Sequence, residues 1–260
     1  MVVIFVEISK ETMYPFLIYN LPYKYNDFIT LYPLKMDRIL ELSLYSPALT
    51  VRKNSRFSDK SIIKMNYMEF IFYASCHPEL ELQYHYYGLS HFYGYVLALL
   101  SLVCEEQEIS FDKQWGTIFI NGFEITPDVF DDLRRIIILQ NDIDFDMDEF
   151  LNYDTEKRLL KAQNDLHKNQ DKSTLEDYID SLSVALRLTE NQIRNMTIRK
   201  FWRFIKRYNL HQDYMIFRTG ECSGMVSFKE PIKHWMSSIE EDDKYKSLKT
   251  DEQALKSKIN

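Results

Sequence analysis

Scarcity of glycine and proline is the feature that most restricts what this chain can fold into. Its 260 residues include only 6 Gly and 7 Pro, which leaves little room for the many tight turns of a β-sandwich or for a Gly-rich phosphate loop. Hydrophobic residues make up 45% of the sequence and charged residues 27%, a balance that excludes a disordered or fibrous chain. A chain of this length forms one large domain or two modest ones.

Apolar spacing and turn signals predict an α+β protein that is mainly helical. The sequence divides into four predicted segments: an aromatic-rich α+β domain over 1–150, a charged helix and linker over 151–172, a small all-α domain over 173–238 and a charged tail over 239–260. The β component of the first domain is small, because its main signal is a hairpin over 117–125 with Asn121-Gly122 at the turn. The tail is expected to order on a partner.

Prolines set the predicted helix limits in the N-terminal domain. Pro15, Pro22 and Pro33 predict that no helix forms in residues 1–35, and Val2–Val6 predicts a buried strand. Helical spacing then predicts single helices over three segments: 36–44, 61–76 and 82–104. The last of these contains no charged residue, but the polar residues of its first half indicate a buried core helix and not a membrane span.

Capping signals define the predicted C-terminal helices. Thr126-Pro127-Asp128 combines an N-cap, a first-turn proline and an acid, which predicts a helix start. Ser173–Glu176 and Thr189–Gln192 match the capping box, and Thr197–Asn209 is predicted as a longer capped helix. Three further elements are predicted beyond it: a loop at Gly220 and Gly224, a short strand over 225–228 and a final short helix from Pro231 through Trp235.

Charge is distributed unevenly along the chain. The net charge is −7, so a generic nucleic-acid binder is disfavoured because the phosphate backbone would repel the protein. Residues 142–180 hold twelve acidic and five basic residues, whereas residues 194–218 hold seven basic residues and one acid. Such asymmetry predicts either a partner or docking of the chain on itself.

Neither a metal nor a cofactor is predicted. The alternating acids of residues 142–148 suggest a calcium loop, but an EF-hand counted from Asp142 needs Gly at position 6 and Glu at position 12. Those positions hold Met147 and Tyr153, so an acidic linker is the better interpretation. The Cys76-His77 pair and the two histidines that follow it lack the short paired spacing of zinc ligands.

No enzyme activity is predicted either. The three cysteines contain no CxxC pair, which indicates a reducing cytoplasm and not a disulfide framework. Cys222 has His211 and His234 within reach, but nothing in the sequence orders these residues into a triad, and no oxyanion-hole motif accompanies them. A hidden enzyme built on Cys222 and His234 stays open as an alternative.

The basic C-terminal segment provides the candidate binding residues. Apolar side chains form one stripe of the predicted helix, while its Lys and Arg side chains are distributed around the remainder. The three successive helices resemble a helix-turn-helix in outline, so binding of nucleic acid is a second hypothesis. The candidate partner-binding residues are Arg199, Lys200, Trp202, Arg203, Lys206, Arg207 and Trp235.

Several segments resemble proteins of tailed bacteriophages. Leu188–Trp202, LTENQIRNMTIRKFW, resembles the part of phage tail-assembly chaperones in which a short helix leads into a second helix. Arg218–Trp235, RTGECSGMVSFKEPIKHW, is similar to proteins encoded among the tail genes of phages of Gram-positive hosts. Leu31–Met36 and the region from Lys53 to Tyr67 are similar to small baseplate-assembly proteins of contractile-tailed phages.

This resemblance implies a non-enzymatic assembly factor, a chaperone that binds another tail protein such as the tape measure or a baseplate component. It carries over no catalytic residues, and it implies action in the host cytoplasm during virion assembly. Many tail chaperones are shorter, and such a role does not require a large aromatic N-terminal domain. A structural subunit of the tail or baseplate therefore stays an alternative, self-association is a further possibility, and no membrane partner is expected.

Overall fold

The computed structural model describes residues 8–148, 173–224, 227–228 and 231–239. The chain divides into two compact units, the first comprising 1–150 with 188–202 and the second comprising 151–187 with 203–260. Three sequence predictions lie outside the described residues: the strand over Val2–Val6, the charged helix within 151–172 and the tail beyond 239.

The first unit is built mainly from short helices. Its helices are α1 (Lys10–Tyr19), α2 (Ile39–Tyr45), α3 (Lys53–Arg56), α4 (Lys60–Lys64), α5 (Tyr67–Cys76), α6 (Glu79–Tyr84), α7 (Phe92–Val103) and α8 (Pro127–Gln140). Its strands are β1 (Tyr23–Lys24), β2 (Thr30–Leu31), β3 (Ile109–Phe111), β4 (Ile118–Ile120) and β5 (Phe123–Glu124). Short 3-10 turns cover Met36–Arg38, Ser46–Leu49 and Leu89–His91.

Two small antiparallel sheets supply the β component. β1 pairs with β2, and β3, β4 and β5 form a three-stranded sheet in that order. Asn121 and Gly122 form the turn between β4 and β5 with φ angles of 50° and 76°, the left-handed conformations that such a turn requires. The mainly helical α+β class is confirmed, and so is the hairpin over 117–125. β3 extends that hairpin by a strand that the sequence did not predict.

The core of the first unit lies around α7. This helix packs against α2 and α5, and its Val96, Leu99 and Val103 side chains are fully buried. Burial of each such side chain contributes about 1.5–3 kcal/mol, which explains why so apolar a segment lies inside the protein. In the described part of the chain, no helix is both long enough and apolar enough to cross a bilayer.

The prediction that prolines exclude a helix from residues 1–35 is wrong. α1 contains Pro15 in its interior, where the missing backbone N–H would ordinarily destabilise a helix. Ser9 compensates at the start, since its hydroxyl accepts from the Thr12 backbone N–H while the Thr12 hydroxyl accepts from the Ser9 backbone N–H. Met13 and Leu17 are buried on the other side of the helix from the exposed proline, so tertiary packing outweighs the local cost.

The predicted single helices over 61–76 and 82–104 are each divided in two. Asn66 interrupts the first, because its side chain accepts from the Glu69 backbone N–H at 2.8 Å and thereby begins α5. In the second, His85 and Gly88 adopt left-handed φ angles of 50° and 86°, which separate α6 from α7. The predicted helix from residue 36 is confirmed as a 3-10 turn that continues into α2.

The described residues after α8 form α9 (Leu175–Leu186), α10 (Glu190–Arg194) and α11 (Ile198–Cys222). The predicted caps at Thr126 and Thr189 are confirmed, while the cap of α9 is Thr174 with Asp177, one residue after the predicted pair. α11 continues to Cys222 instead of ending near Asn209, so Gly220 lies within the helix and not in a loop. The short helix predicted from Pro231 is wrong, since residues 231–239 are not helical, and Ser227 and Phe228 are not in a strand.

Residues 188–202 group with the N-terminal unit because main-chain hydrogen bonds hold them there. Met36 N–H donates to Met196 C=O at 2.8 Å, and Ile198 N–H donates to Leu34 C=O at 2.9 Å. The Thr197 hydroxyl adds a bond to the Asn20 side chain at 2.8 Å. The division between the two compact units falls within α11, between Trp202 and Arg203.

Candidate functional site

The predicted binding residues lie in both units, and several are engaged within the protein itself. In the first unit, Arg199 Nη1 donates to the Leu17 carbonyl at 3.0 Å, near the end of α1, and the Trp202 ring packs edge-on against Phe201 with centroids 5.1 Å apart. Lys200, also in this unit, is half-buried. The Arg199 bond links α11 to α1, whereas the Trp202 contact is with the preceding residue of the same helix.

In the second unit the structure brings Arg207 and Trp235 together. Arg207 Nη1 donates to the carbonyl oxygens of Trp235 and Ser237, and the Trp235 ring meets His211 edge-on at a centroid distance of 5.3 Å. Arg207 therefore anchors residues 235–237. Arg203 in the same unit is half-buried, and Lys206 is exposed.

The residues of the alternative enzyme site, Cys222, His211 and His234, all lie in the second unit. The backbone N–H of Met236 donates to His234 Nδ1 at 3.2 Å, and the His234 ring packs edge-on against Tyr214. His211 faces Trp235 as described, while Cys222 is exposed at the last residue of α11. Among the residues that the structure describes, no three His, Cys, Asp or Glu side chains are grouped to hold a metal ion.

A groove on the first unit is lined by α5 and by the loop between β3 and β4. Met68, Phe72 and Cys76 are spaced four residues apart along α5, so they lie on one face of the helix. The loop between β3 and β4 forms the opposite wall with Trp115 and Gly116. The volume of this open groove is about 360 Å³. The groove is lined by Met65, Met68, Glu69, Phe72, Tyr73, Cys76, His77, Trp115 and Gly116.

A turn built on Asp112 presents Trp115 to this groove. Asp112 Oδ1 accepts from the Gln114 backbone N–H at 2.6 Å, and the Gly116 N–H donates to the Asp112 carbonyl at 2.9 Å. The Trp115 side chain is left 72% exposed. Tryptophan is enriched among the residues that dominate binding at protein interfaces, so Trp115 is a candidate contact residue.

Gly116 is the position on which the shape of the groove depends. Its φ angle of +68° is left-handed, and a Cβ atom built there would lie 2.3 Å from Phe72 Cγ. Only glycine fits both the backbone conformation and the close approach of the loop to α5.

We expect Gly116→Ala to lower the free energy of unfolding by about 1–3 kcal/mol, through backbone strain and displacement of Phe72. Urea unfolding followed by circular dichroism measures this loss. Gly94→Ala is the matched control, because Gly94 lies in α7 with open space at its Cβ position and alanine there stabilises a helix by up to about 1 kcal/mol. Equal changes in the two variants would contradict the assignment.

Two polar side chains of the groove, His77 and Glu69, are hydrogen-bonded to the backbone of their own helix region. His77 Nδ1 lies 2.8 Å from the Tyr73 carbonyl, to which it donates, and the two rings stack at a centroid distance of 3.9 Å. Glu69 is engaged at the start of α5, where its Oε2 accepts from the Asn66 N–H. The surface therefore presents methionine and aromatic side chains with few polar groups, a combination that adapts to varied apolar partners.

The C-terminal segment has a recognisable relative. Residues 167–240 match the family described as the YomV second domain. YomV is a protein of the Bacillus phage SPbeta region, so the predicted kinship with phage proteins is confirmed for this segment. No curated protein and no solved structure matches the chain.

Sequence reasoning missed the groove. The available signal was Trp115 followed by glycine in a polar stretch between two apolar runs, which marks an aromatic residue on a tight turn. The second signal was the four-residue spacing of Met68, Phe72 and Cys76. The two signals are about forty residues apart in the sequence, and only the fold brings them together.

Proposed function

We propose that this chain is a non-enzymatic bacteriophage assembly factor that binds another phage protein while the tail or baseplate is being built. The observation that carries the binding role is the exposed Trp115 opposite the methionine and aromatic face of α5. The phage setting is supported by the match of residues 167–240 to the YomV second domain. The tail or baseplate setting is supported by the sequence resemblance of Leu188–Trp202 and Arg218–Trp235.

The occupant of the groove in this proposal is an amphipathic helix of the partner. Such a helix inserts one or two bulky apolar side chains into a groove, and the interface gains specificity from the polar groups at its edge. Met65, Met68 and Phe72 supply adaptable apolar contacts, while Trp115 closes over the inserted side chain. An assembly chaperone that shields an apolar helix until it is incorporated requires a surface of this kind.

The two alternative functions use the molecule differently. A structural subunit of the tail or baseplate would use the same groove permanently, and so would remain in the finished particle. A nucleic-acid-binding protein would use the basic residues of α11, but the Arg199 and Arg207 guanidinium groups bond to carbonyl oxygens of their own chain. Those bonds occupy guanidinium donors that would otherwise be available to phosphate oxygens.

Affinity capture during infection tests the proposal. Tagged protein is recovered from infected host cells with and without a chemical crosslinker, and bound proteins are identified by mass spectrometry. We expect a tail or baseplate protein crosslinked near residues 65–77 or 113–116, and we expect the tagged protein to be absent from purified virions. Recovery in virions would identify a structural subunit, and recovery with nucleic acid alone would overturn the proposal.

A further inference from the structure

Residues 142–148 form a segment, here named the acidic strap, that lies along the surface of the first unit after α8. The strap carries an acid at every second position and a single aromatic residue, Phe145. Its backbone is attached by the bond from Ile143 N–H to the Ile138 carbonyl, at 3.1 Å. The sequence predicted an acidic linker. The composition of the strap is acidic as predicted, but the strap is packed against the first unit and does not span open solvent.

Phe145 is the first anchor of the acidic strap. Its ring centroid lies 4.5 Å from Arg52 Cζ and 5.4 Å from Arg134 Cζ, distances at which a guanidinium group is attracted to an aromatic ring. The ring is half-buried. The strap thus places its one aromatic side chain against two arginines contributed by separate parts of the chain.

Asp148 is the second anchor. Its two carboxylate oxygens accept from Arg135 Nη1 and Nη2 at 2.6 Å and 2.9 Å, a bidentate pair. These hydrogen bonds lower the pKa of Asp148, so the carboxylate is ionised at neutral pH. Its side chain is nevertheless 71% exposed, and an ion pair so exposed contributes little to stability.

The arginine surface beneath the strap is held by the body of the protein. Arg134 Nε donates to the Leu49 carbonyl at 2.6 Å, and its Cζ lies 3.6 Å from the centroid of the Tyr67 ring. Tyr67 is fixed in turn, since its hydroxyl donates to the Ala48 carbonyl at 2.9 Å. None of these contacts involves the strap, so Arg134 keeps its position when the strap leaves, and a preformed surface binds with less ordering cost.

We propose that Arg52, Arg134 and Arg135 form a recognition surface for an acidic peptide that carries an aromatic residue, and that the acidic strap occupies this surface until a partner segment of the same chemistry displaces it. The occupant already present defines that chemistry: an aromatic ring against two guanidinium groups and a carboxylate paired with a third. Covalent attachment gives the strap an effective concentration on the order of millimolar. A partner segment that adds contacts beyond these two anchors competes with it.

The test uses the full-length protein and a fluorescein-labelled peptide with the sequence of residues 142–148, measured by fluorescence anisotropy. In the double variant Phe145→Ala, Asp148→Asn the strap loses both anchors, and we expect the peptide to bind at least tenfold more tightly than it binds the unaltered protein. Addition of Arg135→Gln is expected to abolish that gain. Arg38→Gln is the matched control, because Arg38 pairs with Glu41 elsewhere on the surface.

Three outcomes would overturn the proposal: equal binding to the double variant and the unaltered protein, binding that ignores Arg135→Gln, or equal binding of a peptide in which the phenylalanine is replaced by alanine. Displacement of the peptide by a duplex oligonucleotide, with no preference for the aromatic residue, would instead identify a general anion surface. The single variant Phe145→Ala repeats the measurement with the ion pair retained. Since none of these residues lines the groove beside Trp115, failure here leaves the proposed function untouched.

Discussion

Replacement of Arg134 by alanine is expected to lower the free energy of unfolding by about 2–4 kcal/mol, the sum of an unsatisfied buried carbonyl and lost packing. The Arg134 side chain is 7% exposed and makes the contacts with Leu49 and Tyr67 described above. Its loss leaves the Leu49 carbonyl without its donor and opens a space beside the Tyr67 ring. Urea unfolding followed by circular dichroism measures the change.

Asp131 provides an internal check on this prediction. Its Oδ1 lies 3.8 Å from Arg134 Nη1, which is an ion pair by distance but not a hydrogen bond. Burial raises the pKa of Asp131, and the Arg134 charge lowers it, so removal of Arg134 raises that pKa further. A folded-state pKa above the unfolded value makes the ionised carboxylate destabilising, and this cost is relieved as the pH falls below the folded pKa.

Two measurements follow for the Arg134→Ala protein. Its deficit in unfolding free energy should shrink as the pH is lowered from 7 through the raised folded-state pKa of Asp131 towards the unfolded value, and the second substitution Asp131→Asn should recover part of it at pH 7. Arg38→Ala is the control, because an exposed arginine of this kind changes stability by about 0.5 kcal/mol or less. A deficit of the same size in both variants would show that the buried contacts of Arg134 add nothing to the free energy of unfolding.

Replacement of Trp115 by alanine is expected to weaken binding of the partner and to leave the stability of the fold nearly unchanged. Truncation of a tryptophan at the centre of an interface costs about 2 kcal/mol or more, roughly a 30-fold increase in Kd. Because the side chain is 72% exposed in the free protein, we expect the free energy of unfolding to change by about 0.5 kcal/mol or less. Isothermal titration with the partner identified by crosslinking measures the first quantity, and urea unfolding measures the second.

Tyr19→Ala is the matched control for Trp115→Ala. Tyr19 is similarly exposed, at 73%, but it lies on α1 and does not line the groove. The control should leave the Kd unchanged. If both variants bound the partner as tightly as the unaltered protein, the groove would not be the binding surface. The identification of the partner by crosslinking would still hold.

The features that were predicted correctly from the sequence are those fixed by neighbouring residues. The caps at Thr126 and Thr189 each join residues three apart, and the turn at Asn121-Gly122 needs only two left-handed residues. The same local signal existed at Asn66, where a Glu three residues later completes a capping box. The apolar residues keep helical spacing on both sides of Asn66, and this spacing was given more weight than the capping signal. One helix over 61–76 was therefore wrongly predicted.

The features that were missed depend on residues far apart in the sequence. Arg134 is a charged residue among the apolar side chains of α8, and it is accommodated there because Leu49 and Tyr67 meet its guanidinium group. The groove likewise requires Gly116 to meet Phe72. Pro15 is accommodated in α1 because Met13 and Leu17 reach the core. In each case a long-range contact overrides a local preference, and such contacts leave no periodic trace in one sequence.

The join between residues 34–36 and 196–198 has a consequence for how this sequence can change. Its bonds between Met36 and Met196 and between Ile198 and Leu34 run from backbone to backbone, so they demand a shape and not particular side chains. Either segment can therefore accumulate substitutions without a matching change in the other, and correlated substitution across the join will be weak. A fragment cut to the recognised family range, 167–240, would leave those bonding groups facing water.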